Sequence, residues 1–133
     1  MERPISSAMT SPAYWQRFIL KLDSRVFALP VNEVDWIQSA ANYVRLHAGS
    51  NTYLLRETMA HVEAALDPRQ FMRVHRNAIV NLSRVQNFRM PTRGSMSCDL
   101  QDGSRIPLSR SYQGAVREYL HQQQEQHVTA KAV

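Results

Sequence analysis

The stretch Phe71-Met72-Arg73-Val74-His75-Arg76-Asn77-Ala78-Ile79-Val80-Asn81-Leu82 combines two properties that decide how this chain is interpreted. Its apolar side chains provide the anchors of a folded core, and they are Phe71, Val74, Ile79, Val80 and Leu82. Its polar side chains carry hydrogen-bond donors suited to phosphates and base edges, and they are Arg73, His75, Arg76 and Asn77. We therefore expect an ordered segment that displays its polar side chains outward.

A block of positive charge surrounds this stretch. From Pro68 to Cys98 the chain has no acidic residue but contains the arginines Arg69, Arg73, Arg76, Arg84, Arg89 and Arg93. With no local carboxylate to neutralise it, such a block favours an anionic partner. The alternative is a solvated basic surface, because runs of charge are common on proteins.

The composition limits the architecture and sharpens the charge argument. At 133 residues and 44% hydrophobic content, the chain is long enough for one core but too short for two ordinary domains. The net charge of +5 is concentrated between residues 68 and 117, where nine arginines face only Asp99 and Asp102. Arginine outnumbers lysine 14 to 2, which favours bidentate contacts with phosphate or guanine.

The absence of paired cysteines, membrane spans and a signal peptide from the sequence predicts the cellular compartment of the protein. A single cysteine, Cys98, excludes an internal disulfide and fits a reducing compartment, and we expect it to be packed rather than reactive. No apolar run approaches the ~18 residues of a membrane span, and the N-terminus has no signal-peptide core. We expect a cytoplasmic protein that makes no membrane contact.

Short segments of alternating hydrophobicity predict a mostly β chain. Strands are expected at 18–22, 25–29, 34–40, 43–47, 52–56, 84–90, 95–100 and 105–108. Turn residues separate several of them, such as Asp23-Ser24 and Asp102-Gly103. In the strand that begins at Tyr43, Val44 and Leu46 alternate with polar residues, which indicates one wet face and one buried face.

Two segments change to a helical period. Met59, Val62 and Leu66 follow a plausible N-cap at Thr58, and Asp67-Pro68 ends the pattern. A later helix begins near Ser109-Arg110-Ser111, with apolar positions at Tyr112, Val116, Tyr119 and Leu120. The start of that helix beside Arg110 is a candidate phosphate site, although a helix that only packs over the sheet explains the pattern equally well.

Residue patterns for catalysis or metal binding are missing. The five histidines form no pair at i, i+4 on a helix and have no cysteine partner at metal spacing, and the four glycines form no phosphate loop. We therefore expect no enzyme activity, no metal and no cofactor. His75 is singled out as a DNA contact because arginines flank it, with a structural histidine that caps a turn as the alternative.

Four segments, in order, resemble the LytTR DNA-binding domain of bacterial transcription regulators. They are Val34-Asp-Trp-Ile-Gln-Ser-Ala-Ala-Asn-Tyr-Val44, Thr52-Tyr-Leu-Leu-Arg-Glu-Thr-Met59, the His-Arg-Asn stretch at 71–82, and Asp102-Gly-Ser-Arg-Ile-Pro-Leu-Ser-Arg110. The resemblance covers about residues 18–120. It implies an elongated, antiparallel, mostly β fold of about ten short strands with two or three short helices.

The resemblance also implies how such a domain works. Loops rather than a recognition helix enter the major groove, at direct repeats in promoter DNA, with pairs of domains on one face of the duplex. The family's base-reading loops correspond here to Asn42-Tyr43, His75-Arg76-Asn77 and Ser109-Arg110. Ala41 stands where the family often has glycine. From side-chain type and charge clustering we assign guanine or backbone contacts to Arg76 and Arg110, supporting donors to His75 and Asn77, and phosphate contacts to Arg73, Arg84, Arg89 and Arg93.

The expected organisation is a leader or linker remnant at 1–17, a LytTR-like domain at 18–120 and a polar tail at 121–133. We interpret the chain as the effector domain of a larger signalling regulator, such as a response regulator of a two-component system, with a small standalone regulator as the alternative. Two alternatives are a binder of single-stranded nucleic acid, disfavoured because the aromatic residues are scattered, and a protein-interaction domain, which would not need the arginine block.

Overall fold

The computed structural model of the protein describes residues 13–123 and residue 132. Ten strands and two α-helices occupy most of this range, and two single 3-10 turns lie at Val31–Glu33 and Leu82–Arg84. The elements are β1 (Arg17–Leu22), β2 (Arg25–Pro30), β3 (Trp36–Ala40), β4 (Tyr43–Ala48), β5 (Asn51–Leu55), α1 (Met59–Ala65), β6 (Phe71–His75), β7 (Ala78–Asn81), β8 (Val85–Arg89), β9 (Ser97–Leu100), β10 (Arg105–Pro107) and α2 (Arg110–Gln123). The predicted mostly β architecture is confirmed.

The strands form three antiparallel sheets. A two-stranded sheet pairs β1 with β2, a five-stranded sheet has the order β5-β4-β3-β7-β6, and a three-stranded sheet has the order β10-β9-β8. Hairpins join most neighbours in the chain, as the turn residues predict. Both the β1–β2 turn and the β3–β4 turn contain a non-glycine residue with positive φ, Asp23 at 52° and Ala41 at 56°.

The five-stranded sheet is covered on both faces, and this produces two hydrophobic cores. On one face it packs against β1, β2 and α1, and the core contains Phe18, Leu20, Leu29, Val31, Val34, Ile37, Val44, Leu46, Met59, Val62, Leu66, Phe71 and Ile79. On the other face it packs against the three-stranded sheet and α2, and the core contains Val74, Ala78, Val80, Met96, Cys98, Leu100, Ile106, Leu108 and Val116.

Strand β7 contributes to both cores. All four of its residues are buried, with Ile79 in the first core and Ala78 and Val80 in the second, because alternate side chains of a strand point to opposite faces. Asn81 ends the strand and is fully buried. Its amide donates to the carbonyl of Val34 at 2.8 Å, so a buried polar side chain is satisfied where the strand leaves the sheet.

Local signals for the first helix were correct. The Thr58 hydroxyl accepts a hydrogen bond from the backbone N–H of His61 at 3.1 Å, which confirms the predicted N-cap. The Trp15 backbone N–H donates to the Ala65 carbonyl, and the Trp15 ring packs on the first core. Residues 1–12 of the predicted leader and residues 124–131 and 133 of the predicted tail lie outside the described residues, and His121 to Gln123 belong to α2.

Candidate nucleic-acid interface

The central segment of the candidate interface is the tight turn between β6 and β7. Its two residues, Arg76 and Asn77, are exposed. The Asn77 backbone N–H donates to His75 Nδ1 at 3.1 Å, and the Ser39 hydroxyl donates to Asn77 Oδ1 at 2.9 Å. Because Nδ1 accepts a hydrogen bond, the neutral His75 ring carries its proton on Nε2 as a further donor. His75 therefore closes the turn and still offers one N–H to a ligand.

An irregularity in β6 changes the direction of His75. Arg73 pairs with Ile79, yet His75 pairs with Ala78, so the pairing register shifts across Val74. In a regular strand His75 would lie on the same face as Arg73, whereas the shift places it on the side of Ala78 and the second core. His75 thus lines the cleft between the five-stranded and three-stranded sheets instead of facing the first core.

The β3–β4 turn lies at the same end of the sheet. Gln38 pairs with Ala78, and the Ser39 backbone N–H donates to the Asn77 carbonyl at 3.0 Å. The turn at Ala41 and Asn42 follows only two residues later, so it projects beyond the β6–β7 turn. Asn42 is exposed, and Tyr43 is 38% exposed.

The start of α2 completes the cluster. The Ser109 backbone N–H donates to the Val74 carbonyl at 2.9 Å, one residue before His75. The helix begins at Arg110, which is exposed, so Ser109 occupies the position that precedes its first turn. The structure therefore gathers the three segments at one end of the five-stranded sheet, and they contain Asn42, Tyr43, His75, Arg76, Asn77, Ser109 and Arg110.

The arginine block is less free of carboxylates than its sequence suggests. The fold brings in acidic residues from outside residues 68–98, so the expectation that the block has no neutralising carboxylate was wrong. The ion pairs are Arg69 with Asp67 at 3.0 Å, Arg73 with Glu63 at 3.0 Å, Arg84 with Asp35 at 3.7 Å, and both Arg89 and Arg105 with Asp99 at 2.8 Å.

Asp99 forms ion pairs with two arginines, Arg89 and Arg105. Its two carboxylate oxygens each accept a hydrogen bond from one guanidinium, Oδ1 from Arg105 and Oδ2 from Arg89. These bonds, that of Arg105 first, hold the pKa of Asp99 below its usual value because they favour the charged carboxylate. Arg89 is therefore pre-positioned by an acid, and an anionic ligand has to compete with Asp99 for it.

The predicted phosphate-binding arginines occupy different places. The β6–β7 turn precedes the first residue of β7, and Arg84 follows the last residue of that strand. Arg84 therefore lies at the opposite end of the sheet from the turn, and there it donates to the Asn32 carbonyl at 2.9 Å. Arg93 is exposed in the β8–β9 loop. The last residue of that loop, Met96, accepts a hydrogen bond through its carbonyl from the backbone N–H of Leu108, which directly precedes Ser109.

Arg76, Arg93 and Arg110 share one property. Each is exposed, and none of them forms an ion pair with any residue in the part of the chain that the structure describes. Their guanidinium groups are available to an external anion without the loss of an internal contact.

A cleft of about 260 Å³ lies beside the three segments. Its walls are Trp36, Gln38, His75, Asn77, Ala78, Arg105, Ile106 and Pro107. On its floor, Trp36 stacks on His47 with ring centroids 4.4 Å apart, and His47 Nε2 lies 3.0 Å from Gln38 Oε1. Burial, followed by the charge of Arg45, lowers the pKa of His47, because both disfavour the charged imidazolium.

Two arginines of this region were not assigned from the sequence. Arg45 lies on the exposed face of β4, and Arg56 lies 5.9 Å from the centre of the Tyr43 ring, so both flank the β3–β4 turn. The alternation Tyr43, Arg45, His47 placed Arg45 on the wet face of its strand. The position of Arg45 beside the other loops depends on the order of the strands in the sheet, and the alternation of residues along one strand does not predict that order.

The described residues do not indicate metal binding, a membrane-spanning helix or a reactive thiol. Within residues 13–123 and 132 there is no group of three or more His, Cys, Asp or Glu that could hold a metal ion. In the same part of the chain, no helix is long and apolar enough to cross a membrane. Cys98 is buried, as predicted, and burial raises the pKa of its thiol to about 12, so the reactive thiolate is strongly disfavoured.

Comparison with known proteins gives this arrangement a family. Residues 24–121 match the family described as the LytTr DNA-binding domain. The chain belongs to the LytTR family. This membership confirms the resemblance read from the sequence and identifies a DNA-binding domain of transcription regulation, which is not an enzymatic fold.

Relatives and a solved structure agree with LytTR membership. The chain is 21% identical over 117 residues to the sensory transduction protein LytT of Bacillus subtilis, covering 88% of this chain and 48% of LytT. It is 30% identical over 96 residues to the positive alginate biosynthesis regulatory protein of Pseudomonas aeruginosa, covering 71% of this chain and 38% of that protein. The chain thus spans less than half the length of either relative.

Comparison with a solved structure supports the same fold. The LytTr DNA-binding domain of a putative methyl-accepting/DNA response regulator from Bacillus cereus superposes with a TM-score of 0.71 at 23% identity. The match covers 80% of this chain and 97% of that chain. The LytTR fold of this protein, with about ten strands and two α-helices, is therefore established.

Proposed function

We propose that this LytTR domain binds double-stranded promoter DNA sequence-specifically and that the three gathered segments enter the major groove. One observation carries the proposal. The β3–β4 turn, the β6–β7 turn and the start of α2 lie at one end of the sheet, and the second and third of them present Arg76 and Arg110, which form no ion pair with a described residue. A pair of guanidinium groups held on neighbouring rigid elements suits contacts to guanine edges and to the phosphates that flank them.

The other residues have supporting roles in this proposal. His75 donates through Nε2–H, and Asn77 donates through the amide nitrogen that its contact with Ser39 leaves available. Asn42 and Tyr43 reach the groove from the β3–β4 turn, and Ser109 places a hydroxyl where α2 begins. Arg93 contacts a phosphate, since it forms no ion pair within the part of the chain that the structure describes.

Arg84 and Arg89 are weaker candidates for phosphate contacts. Arg89 shares Asp99 with Arg105, so any phosphate it binds replaces an existing hydrogen bond. Arg84 lies at the far end of the sheet and is held by Asp35 and the Asn32 carbonyl. We assign Arg84 to the fold and Arg89 to a minor electrostatic contribution.

The names of the relatives suggest the larger context. LytT is named as a sensory transduction protein, and another relative, from Rhodospirillum rubrum, is named as a CO-responsive transcriptional regulator. By analogy, the domain acts in the cytoplasm as the effector of a larger regulator with a sensor or receiver domain. We further propose that two such domains bind direct repeats on one duplex.

Selection of bound sites from a random duplex pool tests the proposal. The enriched duplex is titrated by fluorescence anisotropy against a scrambled duplex and against its separated strands, at several salt concentrations. We expect tighter binding to the enriched duplex, a steep loss of affinity with salt, and the same motif twice in the enriched sequences. Equal binding to single strands, or no enrichment of any sequence, refutes sequence-specific duplex binding.

A further inference from the structure

Arg73 differs from every other arginine of the block in its burial. Its side chain is only 15% exposed, compared with 37% for Arg84 and 51% for Arg89. Its Nε atom is buried and has no hydrogen-bond partner among the described residues. A side chain held so deeply has little surface left for a phosphate, although its charge and sequence position suggest a phosphate contact.

The contacts of Arg73 join three separate elements. Nη1 donates to Glu63 in α1 at 3.0 Å, and Nη2 donates to the backbone carbonyl of Arg76 in the β6–β7 turn at 2.6 Å. The guanidinium also lies 5.8 Å from the centre of the Tyr112 ring, in the first turn of α2. One planar group therefore touches the turn that carries Arg76 and the helix start that carries Arg110.

We propose that Arg73 is a positioning residue, which fixes the turn at Arg76 and the start of α2 for base recognition and does not itself bind DNA. This inference rests on the proposed function and deepens it. Glu63 belongs to the same hydrogen-bond network, because it holds the Arg73 guanidinium in the orientation that reaches the Arg76 carbonyl. A turn fixed before binding loses less conformational freedom on the DNA, so the network favours the correct sequence over other sequences.

Glu63→Gln distinguishes positioning from direct contact, because the two roles predict opposite signs. If Arg73 positions the turn, the variant loosens the network and binds the enriched duplex about threefold to tenfold more weakly, with little change on a scrambled duplex. If Arg73 binds phosphate, removing Glu63 releases the guanidinium and deletes a negative charge, so both duplexes bind more tightly. Glu63 is 47% exposed, so the variant retains its fold.

Glu33→Gln is the matched control. Glu33 is exposed in the 3-10 turn Val31–Glu33, forms no ion pair with a described residue, and carries the same charge away from this network. The effect of Glu63→Gln is therefore taken relative to Glu33→Gln. The salt dependence gives a second distinction, since Arg73→Gln, which removes the charge, leaves the slope of log affinity against log salt unchanged if Arg73 is a positioning residue. If Arg73 contacts a phosphate, Arg73→Gln reduces that slope by up to about 0.9.

Amide hydrogen exchange tests the positioning without DNA. In Glu63→Gln and Arg73→Lys, we expect faster exchange at the Asn77 amide, which donates to His75, and no change at Cys98 in the second core. Equal acceleration at both amides indicates general destabilisation and overturns the inference. Tighter DNA binding by Glu63→Gln also overturns it and leaves duplex recognition intact, whereas a wild-type protein that binds no duplex overturns both proposals.

Discussion

Arg76→Ala is the most direct test of how this domain recognises DNA, because the structure separates its effect on binding from its effect on the fold. The Arg76 side chain is exposed and forms no hydrogen bond or ion pair with a described residue. The hydrogen bond that Arg76 accepts from Arg73 is through its backbone carbonyl, which alanine retains. The free energy of unfolding should therefore change by less than about 0.5 kcal/mol.

The effect on binding should be much larger. Loss of a bidentate contact to a base costs about 1 to 3 kcal/mol, which is about a 5-fold to 150-fold increase in Kd for the enriched duplex. The discrimination against a scrambled duplex should fall by a similar factor, because non-specific binding depends mainly on phosphates. Anisotropy titrations of both duplexes, at one fixed salt concentration, measure the two quantities.

Arg25→Ala is the matched control for this test. Arg25 is also an exposed arginine without an ion pair among the described residues, but it lies at the start of β2, outside the three gathered segments. Its replacement removes the same net charge and should weaken both duplexes equally and slightly. If Arg76→Ala has no more effect than Arg25→Ala on the enriched duplex, the β6–β7 turn does not read bases and the assignment of Arg76 is wrong.

Four further predictions concern stability and reactivity. Asn81→Ala should lower the free energy of unfolding by about 2 to 4 kcal/mol in chemical denaturation, because it breaks three hydrogen bonds of a buried side chain; a loss below that of Ser83→Ala would contradict this. Burial lowers the pKa of His47, so the folded protein binds fewer protons than the unfolded chain. Stability should therefore fall as the pH decreases below 6.5, less so in His47→Asn, and parallel pH profiles would exclude this role. Ala41→Gly should raise stability by about 0.5 to 1 kcal/mol, because it relieves a positive φ, and an unchanged melting temperature would argue against strain there. Since the pKa of Cys98 is raised to about 12, its thiol should react with a disulfide reagent at pH 8 only as fast as the protein unfolds, and rapid labelling of the native protein would contradict its burial.

Local chemistry made much of the fold predictable. Turn residues such as Asp23-Ser24 separate strands whose alternation reports one buried face, and the Thr58 hydroxyl caps a helix by a contact only three residues away. These features depend on neighbours along the chain, so a pattern of residues contains them. The same holds for the exposed turn at Arg76, where polar residues interrupt two apolar runs.

Features that depend on neighbours in space could not be predicted. Asp99 binds two arginines only because β9 lies between β8 and β10, and Glu63 reaches Arg73 only because α1 docks beside β6. The register shift across Val74 cannot be detected in the hydrophobic pattern of the sequence, yet it decides on which face of the sheet His75 lies. The charge of the arginine block was therefore visible in the sequence, but not the identity of the arginines that remain unpaired.

The shared strand β7 has a consequence for how the molecule unfolds. Because its alternate side chains complete both cores, neither half can keep its packing once β7 is lost, and the two should melt as one cooperative unit. The chain offers a natural reporter of this, since Trp15 packs on the first core and Trp36 on the second. Fluorescence from variants that retain a single tryptophan should give coincident midpoints.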